Sequence, residues 1–375
     1  MNFERKLKMA TKTPTSMRAK KAVAVNDGTL LVITVLTIAI TALIIFTAIF
    51  GITMAILNPI DINLDLGINP PSSDSGSRPY KQDITINISN DTTNSENIKG
   101  VSAKNAILVD ITTGEIVAGK SSGNELKPAS MTKVMTLIVV MENLQAEDEL
   151  NAMVDVTAEH IRLKTEREMS GQLGNSSYPA GQYSVKTLLN HLIMESSGVA
   201  ALALADYIAG SEAAFVKLMN EKAEEMGLDF KSFVTCDGTD KGYHLSNARD
   251  IAKIMAYAMK NTHCASILSS LSYTDEEGGL IYHKPLVHNY FIQNGTYREY
   301  TSKTAKIIAA KSGWTGNIAS NDSGGCMVTY AKGNNGHDYI VVVAGTTGTK
   351  FTMDTDQAAY NAVIDTIYIL DNYIK

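Results

Sequence analysis

Pro128-Ala129-Ser130-Met131-Thr132-Lys133, followed by the apolar run Val134 to Met141, decides how this chain is read. It is the only place where a serine stands three residues before a lysine. Proline suits the first turn of a helix, and Val134, Met135, Leu137, Ile138 and Met141 recur at helical spacing. Ser130 then sits at a helix N-terminus, where free backbone N–H groups and the helix dipole favour developing negative charge. Residues three apart share a helix face, so the Lys133 amine reaches the Ser130 hydroxyl. A lysine held there in a desolvated pocket loses proton affinity and can act as a base. An ordinary helix start, with Ser130 as cap and Lys133 in solvent, also fits the tetrapeptide alone.

Lys311-Ser312-Gly313 is the only K-[S/T]-G in the chain. It follows the strand-like run Lys306 to Ala310 and precedes Trp314-Thr315-Gly316-Asn317. A lysine, a hydroxyl and a glycine at a strand's end offer charge, a hydrogen bond and close backbone approach to a ligand. S-x-x-K together with K-T-G, roughly 180 residues apart here, is a signature of penicillin-binding proteins and serine β-lactamases. Between the two lies Leu188 to Ala201, two apolar flanks that read as helices with Ser196 at the break.

With these motifs the chain resembles the low-molecular-weight penicillin-binding proteins, the D-alanyl-D-alanine carboxypeptidases of the S11 type. The resemblance covers roughly Val101 to Thr346. It extends to Ala106–Asp110 with Thr113-Gly114-Glu115, similar to the family's opening hairpin, and to Asp237-Gly238 followed by His244 to Asp250. It implies an α+β serine β-lactamase/D,D-peptidase-like fold, an antiparallel sheet flanked by helices with a helical subdomain. It also implies roles: Ser130 as nucleophile, Lys133 as base, Ser196 as proton relay, and Lys311, Ser312, Gly313, Trp314 and Thr315 as substrate-binding residues. The backbone N–H groups of Ser130 and Trp314 are the implied oxyanion hole. The family's central motif is S-x-N, and here the asparagine position is Gly198. In the family that asparagine binds the substrate amide and helps order the lysines, so Gly198 predicts slower acylation and Gly198→Asn a faster one.

The implied activity is removal of the terminal D-Ala from peptidoglycan stem peptides, with β-lactams as covalent inhibitors, no cofactor and no metal. Two alternatives share the motifs. One is a serine β-lactamase, although Glu166 and Glu168 precede Ser196, whereas the class A base follows the S-D-N element. The other is a sensor of penicillin or wall fragments.

Charge is unevenly distributed along the 375 residues, whose net is −6. Residues 1–28 hold seven Lys/Arg and two acids, leaving 26 basic and 37 acidic residues, a net of −11, in the remainder. An acidic main domain argues against nucleic-acid binding. Thr29 to Leu57 has no charged residue and is long enough to span a bilayer. The cationic stretch before it predicts a cytoplasmic N-terminus. This apolar run exceeds the 7–15 residues of a usual signal-peptide core, which predicts an uncleaved anchor in the cell membrane, with the catalytic domain outside. Asn58–Gly100 turns to Pro, Ser, Asp, Asn and Thr and reads as a flexible stalk, leaving 101–375 as the catalytic domain. Three cysteines, Cys236, Cys264 and Cys326, are an odd number and read as small buried hydrophobes. His191 reads as structural, and His244 matches a family position near the site rim. The element pattern is strand-first, helix-middle, strand-last: helices near 130–144, 185–194, 199–208 and 212–226, strands near 305–312, 325–331 and 339–344, and a closing helix over 354–373.

Overall fold

Strands β1 (Glu96–Asn97), β2 (Asn105–Asp110) and β3 (Glu115–Lys120) open the folded domain of the chain, seen here in a computed structural model. The structure describes residues 78–375 except 94, 170–178, 240–242, 277, 284–289, 294–295, 300, 316–323 and 347–355. A 3-10 turn (Ala129–Thr132) then runs into helix α1 (Lys133–Asn143). A helical region follows, holding α2 (Ala158–Met169), α3 (Val185–Met194), α4 (Gly198–Ala209), α5 (Glu212–Glu225), α6 (Ala248–Lys260) and α7 (Thr262–Ser269). Two short strands within it, β4 (Met153–Val156) and β5 (Gly181–Ser184), pair antiparallel, as do β6 (Ser272–Thr274) and β7 (Leu280–Tyr282). A further small hairpin, β8 (Tyr290–Gln293) and β9 (Thr296–Glu299), precedes the closing strands. These are β10 (Ala305–Thr315), β11 (Gly324–Gly333) and β12 (Asp338–Thr346), and α8 (Asp356–Tyr373) ends the chain.

The two ends of the domain build one sheet in the order β1-β3-β2-β12-β11-β10. All its pairings are antiparallel except β1 with β3, which is parallel, so the sheet is mixed at that edge. Val341 stands opposite Leu108, and Val342 opposite Val328. Alternate strand residues point to opposite faces, and here each face meets its own core. Ile107, Val109, Val328, Ile340 and Val342 join the core shared with α1 and α3–α7. Ala106, Leu108, Met327, Val341 and Val343 face Ala362, Val363, Ile369 and Leu370 of α8. A strand covered on both sides reads as an unbroken apolar run, as Ile340 to Ala344 does, because neither register faces water. The helices of the middle begin at side-chain caps: Ser184, Ser197, Ser211 and Asn247 accept hydrogen bonds from Thr187, Ala200, Ala214 and Asp250 N–H groups.

The stalk expected over Asn58–Gly100 does not reach across 78–100. Tyr80 is buried in the larger core; its hydroxyl donates to the Glu147 carbonyl at 2.6 Å and its own carbonyl accepts from Asn261 Nδ2 at 2.9 Å. Ile84, Ile86 and Ile88 pack on that core, and Ile98 belongs to the other. The alternation of those isoleucines is what lets a polar-looking stretch adhere to the domain. The expected basic segment and the apolar run 29–57 lie outside the described residues. Among the described residues no single helix is long and apolar enough to cross a membrane.

Candidate active site

Lys133 is the first residue of α1 and is buried, its Nζ 2.9 Å from Ser130 Oγ on the preceding 3-10 turn and 2.7 Å from the Asp237 carbonyl oxygen. The amine thus donates to the Ser130 hydroxyl and is fixed from behind by a backbone carbonyl. Burial lowers its pKa; the Asp237 carboxylate opposes this, while the Arg167 and Lys164 cations reinforce it, and the result is about 8. Ser130 is half-exposed on this turn.

Ser196 closes the break between α3 and α4. Its Oγ accepts a hydrogen bond of 2.9 Å from Lys311 Nζ, whose amine also donates to the Ser312 carbonyl at 2.8 Å. Lys311 is fully buried; desolvation, followed by the nearby Lys133, holds its pKa well below the ordinary lysine value. The expected constellation is therefore assembled as two lysine–serine pairs, contributed by the N-terminal ends of two helices and one strand. Backbone in the left-handed region flanks both pairs: Ala129 has φ +46° and Ser196 has φ +60°. Each such position costs about 1–3 kcal/mol and persists only where the surroundings impose it.

The K-S-G segment runs along β10, the sheet's edge strand, and meets the Ser130 turn through Gly313. A Cβ at Gly313 would lie 2.8 Å from the Ser130 backbone nitrogen and 2.8 Å from Cys326 Sγ. Glycine is required there because strand and turn touch backbone to backbone. Trp314 and Thr315 continue β10 opposite Gly325 and Gly324; the Thr315 side chain is outside the described residues. From the other side of Lys311, His283 is buried between two carbonyls, its Nε2 2.9 Å from Ala310 O and its Nδ1 3.0 Å from Ser270 O, with burial pushing its pKa down to about 4. The sequence reading did not single out His283; nothing in its neighbourhood, Tyr282-His283-Lys284, marks it as a brace for a strand distant in the chain.

His244 is buried and lies under the site, at variance with the expected rim position: its Nε2 is 3.0 Å from Thr132 Oγ1, and its ring stacks edge-on against Phe233. His191 is buried with Nδ1 2.8 Å from Glu195 Oε2, a structural histidine as read. All three cysteines are free and buried. Glu166, weighed as a deacylation base, pairs with Arg162 on the exposed face of α2.

Two acidic residues and one arginine behind Lys133 were not foreseen as a group. Arg167 of α2 donates from Nη1 to Asp237 Oδ2 at 2.9 Å, and from Nη2 to Glu212 Oε2 at the start of α5. Glu212 Oε1 accepts from the Cys236 N–H at 3.1 Å, and Thr136 of α1 donates to the Cys236 carbonyl. Burial raises the Asp237 pKa, but Arg167, Lys133 and hydrogen bonds from Thr239 outweigh it and hold the carboxyl at about 2. Next to it Gly238, at φ +81°, presses on the Ser130 turn so closely that a Cβ would lie 1.9 Å from the Ala129 carbonyl oxygen.

The sequence model of D-alanyl-D-alanine carboxypeptidases matches residues 90–348. Over 224 residues the chain is 31% identical to D-alanyl-D-alanine carboxypeptidase DacF of Bacillus subtilis (strain 168), covering 58% of this chain and 55% of that protein. Over 153 residues it is 37% identical to D-alanyl-D-alanine carboxypeptidase DacC of Escherichia coli (strain K12), covering 40% and 38% of the two chains. It spans about half, or less, of the length of these curated relatives. Penicillin binding protein 5 from Haemophilus influenzae shares the fold, with a TM-score of 0.58 at 23% identity over 73% of this chain and 71% of that one. With its two lysine–serine pairs set between sheet and helices and the family model matching most of the folded domain, the chain belongs to the D-alanyl-D-alanine carboxypeptidase family.

Proposed function

We propose that the protein is a serine-type D-alanyl-D-alanine carboxypeptidase that trims the terminal D-Ala from peptidoglycan stem peptides through a Ser130 acyl-enzyme. The observation that carries this reading is the Lys133–Ser130 contact: a buried amine with a pKa of about 8, 2.9 Å from a half-exposed serine hydroxyl. Such an amine is substantially neutral near pH 7–8 and close enough to take the hydroxyl proton.

In the proposed reaction Ser130 Oγ attacks the carbonyl carbon of the D-Ala–D-Ala amide as its proton passes to Lys133 Nζ. Negative charge gathers on the former carbonyl oxygen, held by the Ser130 and Trp314 N–H groups; losing one such donor typically costs about 10²–10³ in rate. The leaving amine takes a proton through the Ser196 hydroxyl, which Lys311 backs at 2.9 Å. The C–N bond breaks, D-alanine departs, and water releases the acyl group from Ser130. Ser312 and Thr315 hold the substrate's terminal carboxylate. Its negative charge also offsets the desolvation of Lys311, so binding of the carboxylate draws a proton onto that lysine. β-Lactams enter the same site and stop at the acyl-enzyme.

The run Thr29–Leu57 anchors the protein in the cell membrane, with the catalytic domain on the outer side. Release of the full chain from membranes by an alkaline carbonate wash would refute the anchor. For the activity, the full chain is incubated with diacetyl-Lys-D-Ala-D-Ala and D-alanine is followed, with Ser130→Ala as control. Release that vanishes in the variant supports the carboxypeptidase. A Ser130→Ala protein that still forms a stable covalent penicillin adduct would sink it, and rapid penicillin turnover would point to the β-lactamase alternative.

A further inference from the structure

The position where the family carries the S-x-N asparagine is not vacant space. A Cβ added to Gly198 would lie 3.2 Å from Asp237 Oδ2 and 3.4 Å from Lys164 Cγ, so the first atom of any side chain already meets the Asp237 carboxylate. That carboxylate is held by Arg167 at 2.9 Å and by the Thr239 N–H, on Oδ1, at 2.9 Å. Its own backbone carbonyl accepts the Lys133 amine at 2.7 Å. The residue is nailed down on every side: Thr136 donates to the preceding carbonyl, Glu212 accepts from the preceding N–H, and Gly238 abuts Ala129.

We infer that Asp237, clamped by Arg167 in the space opposite Gly198, is the positioning residue for Lys133 and stands in for the missing asparagine. The inference rests on the proposed acyl-transfer reading. Three elements converge on the device: Arg167 from α2, Glu212 from α5 and the 235–239 segment lying against α1. Its effect on the base is twofold. The carbonyl fixes the amine beside Ser130, and the carboxylate supplies a negative charge that counters desolvation. The charged groups facing Lys133 are Asp237, Arg167 and Lys164, with Lys311 across the site; Cys236 also adjoins, its thiol kept protonated by its own burial. Asp237 thereby sets the pH at which Lys133 becomes a base, and Arg167 sets it in the opposite sense.

The test is the pH profile of Ser130 acylation by a labelled benzylpenicillin, measured on the full chain. Asp237→Asn preserves shape and removes the charge, keeping one of the two accepted hydrogen bonds, because its amide nitrogen cannot accept from Arg167 or from the Thr239 N–H. Its acid limb is expected to move down by about one pH unit, with the high-pH plateau several-fold lower. Arg167→Gln is expected to move the limb up; Arg167→Lys, which keeps the charge, returns it toward the wild-type position. Thermal melts accompany each variant, and if Arg167→Gln fails to fold, Asp237→Asn and Arg167→Lys decide alone. A variant that loses thermal stability but leaves the limb where it was would reduce Asp237 to a structural role and overturn the inference. The second arm is Gly198→Asn, expected to slow acylation because its Cβ presses on the clamped Asp237 carboxylate, and Gly198→Asn with Asp237→Ser, expected to recover it. A faster Gly198→Asn single variant would show that the asparagine site is free and the inference wrong. If the wild-type chain is not acylated at any pH, it is the acyl-transfer reading that fails, a result distinct from a wild-type limb that Asp237→Asn leaves unmoved.

Discussion

Lys133 lies near enough to Lys311 for its charge to depress the proton affinity of that second lysine, on top of the burial that already does so. Each amine donates to one serine hydroxyl, Ser130 or Ser196, at 2.9 Å. Two ammonium groups desolvated together repel, so the pair favours states with at least one neutral amine. Lys133 is directly beside the nucleophile, and its neutral form is the one that accepts a proton.

The rate of Ser130 acylation therefore rises with pH. A lysine with a pKa of about 8 gains its neutral form as pH climbs through that value. Below it, the active fraction falls about tenfold per pH unit, and above it the rate levels off. Second-order acylation rates with a labelled penicillin from pH 5 to 9.5 give the profile. A flat line across that range would remove Lys133 as the base.

Ser196→Ala leaves the Lys311 amine with only the Ser312 carbonyl among the two partners it holds. Loss of a positioned proton-transfer group typically costs about 10²–10⁴ in rate, so D-alanine release should drop by at least about a hundredfold while the fold stays intact. Release assays paired with circular dichroism distinguish the two. Undiminished release would exclude Ser196 from the relay.

Gly313→Ala introduces a methyl 2.8 Å from both the Ser130 nitrogen and Cys326 Sγ. The strand must then move off the nucleophile turn, and the Trp314 N–H moves with it. Acylation should fall by about 10² or more, as for loss of an oxyanion donor. Adding Cys326→Ala relieves only the sulfur contact and should not restore the rate. Full recovery in that double variant would place the constraint at Cys326 instead of at the Ser130 backbone.

Much of this was legible before the structure. Ser130 and Lys133 share a helix end by local geometry, and the apolar periodicity of Val134–Met141 made that helix plain. The 185–194, 212–226 and 305–312 elements follow from similar runs and lie within a few residues of α3, α5 and β10. What escaped is what depends on tertiary neighbours. Helix α2, Ala158–Met169, is polar through most of its length, so no apolar stripe announced it. With α2 unseen, Arg167 had no address, and its pairing with Asp237, 70 residues onward, could not be read. Gly198 was visible as a departure, but its neighbour was not: the Asp237 carboxylate, which a Cβ there would meet at 3.2 Å, comes from a distant part of the sequence. The stalk boundary slipped for a related reason, because Tyr80 and Ile84–Ile88 need a partner surface before their alternation means anything.

Burial of Lys133 also has a stability consequence. Its folded pKa of about 8 lies below the ordinary 10.5, so between those values the unfolded chain binds more protons than the folded one. Stability contributed through this group is lowest below pH 8, rises across pH 8–10.5, and is constant above. The full swing is about 3 kcal/mol, from 1.36 kcal/mol per pKa unit. Lys133→Met removes the titrating group and retains an unbranched side chain of similar length in the same buried place. The variant should be inactive, and the difference in urea unfolding free energy between it and the wild type should change by that amount from pH 7 to pH 11, in favour of the wild type at high pH. Subtracting the two curves cancels the other titrating groups that both proteins share. A difference that stays constant with pH would mean that Lys133 keeps an ordinary pKa in the folded chain, and both its role as base and the pH profile above would fall together.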